Sequence, residues 1–341
     1  MNLKKLISHI RTALSYIPAS WENSREAAAE TDGKSRLWHF GNILKLFYTE
    51  GFDYTNYASF RLWEKTPEER KKFLPKLINN RISLRSCSPA TFRLFLDKTE
   101  FNKAYRKFIK RAWLDTATAS EKELAEFIEA YPSVIAKPIN SYGGYGVFLL
   151  NREDADFPEK LKELKRLVAK GKHYMVEETI SNVDYIKRLA PASLNTIRIV
   201  TVLDKRGEVH ILAALLRMGN GTSVTDNFTI GGIGVAIDLA TGCLAGEGFS
   251  KGFERYAEHP YTKIKFEGYK IEDFEACKRF AIDIAKASPE SPYVGWDLAL
   301  IPGKNGETVI DLLEGNIPPG ENITQLAARR GIRADLQRWL S

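Results

Sequence analysis

Two apolar runs near the C-terminal end constrain the chain most. Tyr293-Val-Gly-Trp-Asp297 leads into Ala299-Leu-Ile301, a polar turn follows at Gly303-Lys-Asn-Gly306, and Thr308-Val-Ile-Asp-Leu-Leu-Glu314-Gly-Asn316 comes next. The pattern predicts two buried strands joined by a turn. Asp297, Glu314 and Asn316 interrupt it with oxygen-bearing side chains, which are costly to bury unless something positive or hydrogen-bonding meets them. A hard divalent cation such as Mg²⁺ meets that need, since it takes one or two carboxylates in an all-oxygen shell. A turn-capping amide beside two half-exposed carboxylates is the other reading, and these three residues alone leave both open.

The chain has 341 residues, enough for two or three compact subdomains. It contains no uncharged apolar run of about 18 residues, which excludes a spanning helix. Leu3, Leu6, Ile7, Ile10, Leu14 and Ile17 recur at helical spacing among Lys4, Lys5, His9 and Arg11, without a small-residue cleavage site. This is an amphipathic helix that packs on the body or makes peripheral contact with an anionic membrane surface. Cys87, Cys243 and Cys277 are odd in number and form no CxxC pair, so a reducing, cytoplasmic setting without structural zinc is expected. The five histidines share no ligand spacing.

Charge is uneven along the chain. Through Arg111 there are 22 basic and 11 acidic side chains, and the remainder carries 28 and 32. An anionic substrate, an acidic glycan precursor or a membrane surface accounts for this. With neither an RNP-type segment nor a helix-turn-helix, nucleic acid is not expected as a partner.

Residues 1 to 90 read as helical and aromatic-rich, folding around their own aromatic cluster. A helix is predicted from Leu96 through Arg111, and another from Ser120 to Tyr131, capped by Ser120 with Glu123 three residues on. Then come the strand Ser133-Val-Ile-Ala-Lys137-Pro138, the loop Asn140-Ser141-Tyr-Gly143-Gly144-Tyr-Gly146 and the strand Val147-Phe-Leu-Leu150. Strand, glycine loop, strand makes a hairpin flap and lacks the Gly-Lys-Ser/Thr and following helix of a Walker loop. Residues without Cβ let several backbone N–H groups close around a phosphate, and Lys137 adds a charge. A plain Gly-rich hairpin with a surface lysine fits equally well.

After a helix from Phe157 to Lys170 and a strand from His173 to Ile180, the runs Leu194–Leu203 and Val209–Arg217 form a hairpin about Asp204-Lys-Arg-Gly207. Arg198 and Arg217 interrupt these runs, either on a solvent face or converging as an anion clamp. Asn227 and Gly231-Gly232 lead into a strand from Ile233 to Asp238, a helix spans Ile271 to Ser288, and a helix from Asn322 to Leu340 closes the chain.

Taken in order, Asp97-Lys98, Lys137 with Gly143-Gly-Tyr-Gly146, Glu177-Glu178-Thr-Ile180, Arg198, Arg217, Asn227 with Gly231-Gly232, Asp297 and Glu314-Gly-Asn316 with Pro319-Gly320 resemble the ATP-grasp superfamily. The order of the two arginines, Asn-x-x-x-Gly-Gly and Glu-x-Asn is similar to the ribosomal-protein glutamate ligase group. Leu194-Asn-Thr-Ile-Arg198, Asp226-Asn-Phe228, Ile237-Asp-Leu-Ala-Thr-Gly242 and Gly295-Trp-Asp297 resemble most closely the sugar-transfer-associated ATP-grasp family.

The resemblance implies an α+β fold in which two lobes hold a nucleotide between antiparallel sheets. Residues 1–90 would form a helical N-terminal region, 91–180 the small lobe with its flap, and 181–341 the large lobe with the metal and acceptor site. Lys98 and Lys137 match lysines that touch ATP phosphates, and Ser141, Gly143, Gly144 and Gly146 match the flap over them. Glu177, Glu178 and Ile180 fall at the hinge that meets adenine, with Glu178 or Asp184 near the ribose. Asp297, Glu314 and Asn316 match Mg²⁺ ligands, with Mn²⁺ as an alternative ion, and Arg217 matches the arginine beside the γ-phosphate. Arg198, Arg217 and the amides around Asn227, Gly231 and Gly232 would hold a reacting acyl phosphate.

The implied activity is that of an ATP-dependent carboxylate–amine ligase. It would act on small-molecule carboxylate and amine substrates, such as an amino acid or acidic sugar, in surface-polysaccharide or related secondary biosynthesis. A phosphotransferase acting on a hydroxyl is the alternative, and an ATP-binding scaffold a third. The helical N-terminal region departs from the Gly-rich βαβ pre-domain of many such ligases. His259-Pro-Tyr-Thr262 also matches the family, although a histidine beside a proline in a loop reads as structural.

Overall fold

The computed structural model describes residues 3–31, 33–139, 146–221, 231–250 and 254–340, with side chains from residue 16 onward. Its described strands are β1 (Trp113–Asp115), β2 (Ser133–Pro138), β3 (Phe148–Asn151), β4 (Tyr174–Glu178), β5 (Thr196–Leu203), β6 (Val209–Met218), β7 (Ile233–Ile237), β8 (Leu244–Phe249), β9 (Arg255–Tyr256), β10 (Tyr293–Pro302) and β11 (Thr308–Asn316). They form a four-stranded sheet ordered β1-β4-β2-β3 and a seven-stranded sheet ordered β11-β10-β5-β6-β7-β8-β9. The described pairings are antiparallel throughout. This is the expected α+β arrangement with a helical region ahead of it.

The small sheet is covered on one face. Val134 and Ala136 of β2, Leu150 of β3 and Val176 of β4 pack against Leu124 and Ile128 of the helix Glu121–Ala130 and Leu164 of the helix Phe157–Ala169. Ser120 and Glu123 form the capping box expected at the first of these. Strands β2 and β3 pair from Ser133↔Asn151 to Ala136↔Phe148, so the glycine loop joins neighbouring strands.

The large sheet is buried on both faces. Ile197, Ile199, Ala214, Leu216, Val294, Trp296 and Leu298 face Phe274, Cys277, Ala281 and Ile284 of the helix Phe274–Lys286. Side chains alternate along a strand, so Val200 and Val202 turn the other way. There they meet Leu74, Ile332 and Leu336, while Ala213 and Leu215 meet Ile323 and Ala327.

Two predicted helices are broken. The segment from Leu96 to Arg111 divides into Pro89–Leu96, Lys98–Ala104 and a single tight turn at Arg106–Phe108. Asp97 is extended (φ −96°, ψ 110°), and its carboxylate accepts from the Thr99 and Glu100 N–H groups, which starts a new helix. The closing helix divides into Glu321–Ala328 and Arg333–Leu340, because Arg329 takes left-handed geometry at φ 56°. Gly331 follows it, and a Cβ there would lie 2.2 Å from the Lys72 carbonyl oxygen. Strands β1, β8 and β9 were not predicted.

The N-terminal helices enclose Ala27, Ile43, Leu46, Phe52, Tyr57, Phe60, Leu62 and Trp63. The segment from Leu74 onward leaves that cluster for the large sheet. Buried Gln325 joins the two: its Oε1 accepts from the Leu74 N–H (2.7 Å) and its Nε2 donates to the Leu74 carbonyl (3.1 Å). The same Oε1 accepts from the Ile332 N–H at 3.3 Å. Gln325→Ala leaves these buried backbone groups unmet and is expected to cost at least about 2 kcal/mol. Urea unfolding checks this as a lower midpoint at unchanged slope.

Candidate functional site

Register brings five polar residues to one face of the large sheet. Arg198 stands opposite Asp297, Asp297 opposite Glu314 and Gly295 opposite Asn316, while Arg217 stands opposite Thr196, two residues from Arg198. Directly opposed residues share a face. The arrangement depends on a bulge, because Leu298 pairs with Leu312 while Asp297 pairs with Glu314, leaving Leu313 without a partner in the ladder. Had the ladder continued without the bulge, Leu313 would pair with Asp297, and Glu314 would stand opposite Trp296 and turn into the core. Gly315 takes that place, and a Cβ on it would lie 2.5 Å from the Phe95 ring and 2.9 Å from Trp296.

The arginines converge on Asp297. Arg198 Nε and Nη2 donate to its two oxygens at 2.6 Å each, and Arg217 Nη1 donates to Oδ2 at 2.6 Å. Burial pushes the Asp297 carboxyl up, but the two guanidiniums outweigh it and hold the group well below the usual carboxylate range. Glu314 goes the other way, raised by confinement and by the Asp297 carboxylate. Its side chain is still 54% exposed. The carboxylate is thus reachable by solvent. Asn316 Nδ2 lies 3.3 Å from Glu314 Oε1 and 3.5 Å from Asp297 Oδ2, so the three side chains converge.

This donor set fits a hard divalent cation. Two carboxylates and an amide offer oxygen only, and a half-turn of the Asn316 amide exchanges its nitrogen for its oxygen. The repulsion that raises Glu314 is what a cation there would relieve. Asp204, Glu208 and His210 also bring donor atoms within 4.8 Å of one another. Asp204, however, is occupied with the β5–β6 turn, accepting from the Arg206 and Glu208 N–H groups and bonding His210 Nε2.

Lys137 stands on β2 of the small sheet, and Lys98 at the start of the helix Lys98–Ala104. Lys137 Nζ lies 2.5 Å from Glu177 Oε2, and Arg111 Nε donates to Glu177 Oε1 at 2.6 Å. Glu177 is buried, which pushes its carboxyl up, yet Arg111 and Lys137 bring it down to about 2. Lys98 donates to the Pro138 carbonyl at 3.3 Å, just ahead of the glycine loop. Burial lowers Lys98 while the Glu314 carboxylate opposes that shift, so this helix-start lysine senses the large sheet.

The other predicted residues are placed as follows. Glu178 Oε1 accepts from the Ala112 N–H at 2.8 Å, tying the end of β4 to the residue ahead of β1, and Ile180 is half-buried just beyond β4. Asp184 is exposed at the start of the helix Asp184–Lys187 and makes no hydrogen bond or ion pair with the other described site residues. Gly146 and Gly231 hold φ of 72° and 97°, and Gly232 is buried ahead of β7. Ser141, Gly143, Gly144 and Asn227 lie outside the described residues. His259 is structural: its Nε2 bonds the Gly219 carbonyl at 2.8 Å while Nδ1 accepts from the Tyr261 and Thr262 N–H groups. Buried Cys277 has its thiol pushed up to about 12 by desolvation, which makes it a poor nucleophile.

Sequence reasoning missed Arg111, which read as the end of a helix. The available signal was Asp311, an acid inside the apolar run of β11 that required a buried partner. Arg111 Nη1 supplies it at 2.9 Å.

Two antiparallel sheets that place lysines opposite a carboxylate–arginine cluster define the ATP-grasp class. Residues 89–339 match the family described as sugar-transfer associated ATP-grasp, and the chain belongs to that family of ATP-grasp enzymes. No curated protein matches it. Among solved structures it is similar to an ADP complex of purK, N5-carboxyaminoimidazole ribonucleotide synthetase, at 13% identity and TM-score 0.44 over 70% of this chain and 48% of that one. It is also similar to the ATP-grasp ligase PsnB with its minimal precursor, at 15% identity and TM-score 0.43 over 74% and 61%. The VanG D-Ala:D-Ser ligase from Enterococcus faecalis matches at 15% identity and TM-score 0.43 over 69% and 56%. The chain thus spans about half to three-fifths of the length of these structures.

The two acids should respond oppositely to neutralisation. Asp297 has a depressed pKa, so its stabilisation is present above about pH 4 and is lost as pH falls through its folded value. Asp297→Asn leaves two guanidiniums uncompensated and is expected to cost about 3–5 kcal/mol at neutral pH. Glu314 has a raised pKa, so its penalty sets in as pH rises through the carboxylate range, and Glu314→Gln removes it. Thermal unfolding from pH 4 to 8 should show E314Q gaining on the wild type as pH rises.

Proposed function

We propose that the protein is an ATP-dependent carboxylate–amine ligase that works through an acyl phosphate. The observation that carries this reading is the convergence of Arg198, Arg217, Asp297, Glu314 and Asn316 on one face of the large sheet, with Lys137 carried by the small sheet. Phosphoryl transfer asks little covalent work of a protein, so lysines, arginines and oriented amides are the groups it needs.

In this proposal ATP lies between the sheets of the lobes 91–180 and 181–341. Lys98, Lys137 and the flap residues Ser141, Gly143, Gly144 and Gly146 hold its phosphates. Backbone from Glu177 through Glu178 to Ile180 meets the adenine, and Glu178 or Asp184 the ribose. Asp297, Glu314 and Asn316 would hold Mg²⁺ or Mn²⁺, which when bound neutralises phosphate charge.

A substrate carboxylate oxygen attacks the γ-phosphorus, the bond to the ADP oxygen breaks, and acyl phosphate and ADP result. An amine then attacks the acyl carbon, the bond to phosphate breaks, and the amine proton passes to solvent as the amide forms. Arg198 and Arg217 stabilise the charge that develops on the transferring group and on the tetrahedral oxygen, helped by the amides around Asn227, Gly231 and Gly232. The N-terminal positive excess favours an acidic substrate, an amino acid or acidic sugar of the kind used in surface-polysaccharide assembly. Among the described residues no helix is long and apolar enough to cross a membrane.

The test is ADP release across a panel of amino acids and uronic acids with amine acceptors, read by mass spectrometry. Release that requires a carboxylate, with hydroxylamine trapping a hydroxamate, supports the ligase. A stable phosphate on a sugar hydroxyl would sink it in favour of a phosphotransferase, and nucleotide binding without turnover in favour of a scaffold. Arg217→Ala is expected to lower turnover by about 10²- to 10³-fold.

A further inference from the structure

Arg111 lies between the tight turn Arg106–Phe108 and β1, where the chain passes into the small sheet. Its side chain is 2% exposed, and it reaches both sheets. Nε donates to Glu177 Oε1 at 2.6 Å, and Glu177 holds Lys137. On the other side, Nη1 donates to Asp311 Oδ2 at 2.9 Å and to the Leu312 carbonyl at 2.7 Å, and Nη2 to the Leu313 carbonyl at 3.2 Å. Leu313 is the bulged residue that the ladder with β10 leaves out, so its neighbourhood needs a donor from elsewhere.

We propose that Arg111 is the positioning residue of the nucleotide–metal site: it pins the bulge that turns Glu314 and Asn316 toward Asp297, and through Glu177 it sets Lys137. The inference rests on the proposed nucleotide reading of the cleft. A lysine cannot replace it, since one ammonium lacks the planar fork that reaches Glu177, Asp311 and two carbonyls together. Asp311 also accepts from the Lys110 N–H at 2.6 Å, so it keeps one donor when Arg111 is changed.

Calorimetry of ADP binding to the full chain, with and without Mg²⁺, tests this separately from turnover. The quantity read is the factor by which Mg²⁺ tightens ADP. R111K keeps positive charge beside Glu177 and is expected to bind ADP alone within about threefold of wild type, while that factor falls at least about tenfold, as for other outer partners of metal ligands. R111M is expected to weaken ADP alone as well; should it fail to fold, R111K carries the test. Asp311→Asn keeps a single acceptor oxygen, which can still serve Arg111 at the expense of the Lys110 N–H, and leaves the Leu312 and Leu313 carbonyl contacts in place, so it is expected to preserve the factor.

An R111K protein that retains the wild-type factor overturns the proposal. So does a D311N protein that loses it equally, since that would mark a general packing role. A wild-type protein whose ADP affinity ignores Mg²⁺ instead overturns the metal reading of the cleft, and this inference with it.

Discussion

A carboxylate set into a sheet face persists only where positive charge reaches it, and at Asp297 two guanidiniums do so at 2.6 Å. The rest of the cleft follows from that compensation. Asp297 is already neutralised by its neighbours, whereas Glu314 has Arg198 only at 3.8 Å and is pushed up by the Asp297 charge. The open negative group is therefore Glu314. On the proposed metal reading, a cation would gain most from Glu314 and share Asp297 with the arginines. The proposed phosphoryl transfer would then find its opposing charges on neighbouring strands.

That cluster exists because β11 miscounts by one residue. The unpaired Leu313 converts an alternation that would bury Glu314 against Trp296 into one that presents it beside Asp297. Gly315 then fits against Phe95 and Trp296, where no side chain has room. Arg111 closes the sequence of dependencies by binding the Leu312 and Leu313 carbonyls with the same guanidinium that holds Glu177. A distortion of the large sheet and a lysine of the small one thus share a single buried cation. Such an ion cluster is a poor source of net stability, because desolvation offsets most of its attraction. Its value lies in fixing geometry.

Much of this was legible in the chain. The β5–β6 hairpin announces itself by β-branched residues about a polar turn, and β10 and β11 by apolar runs broken at the residues that matter. The arginine and acid positions stand out because charge in an apolar strand demands a partner. What the pattern could not show is register. Whether Glu314 faces Asp297 or the core is decided by one bulged residue and by a partner about 200 positions away, and neither leaves a local trace. The break at Asp97 was similarly hidden, since the helical periodicity runs through it while the cap that restarts the helix is a single carboxylate. The glycine flap and Asn227 were named from sequence but lie outside the described residues.

The helical N-terminal region is tied to the same strand end by amide side chains. Asn79 Nδ2 donates to the Pro319 carbonyl at 2.7 Å, and Asn56 Nδ2 to Glu321 Oε1 at 3.1 Å and Asn322 Oδ1 at 2.6 Å. Pro319 follows Asn316 by three residues, so these contacts fix the turn that leaves β11. Glu321 is buried, which raises its carboxyl, and the Asn56 amide is among the groups that offset this. Deleting the helices would strip those donors from a buried acid and uncover Val200, Val202 and Leu212 where Leu74 now lies. The end of β11 and the helical region that carries much of the positive excess are therefore joined by one set of buried contacts.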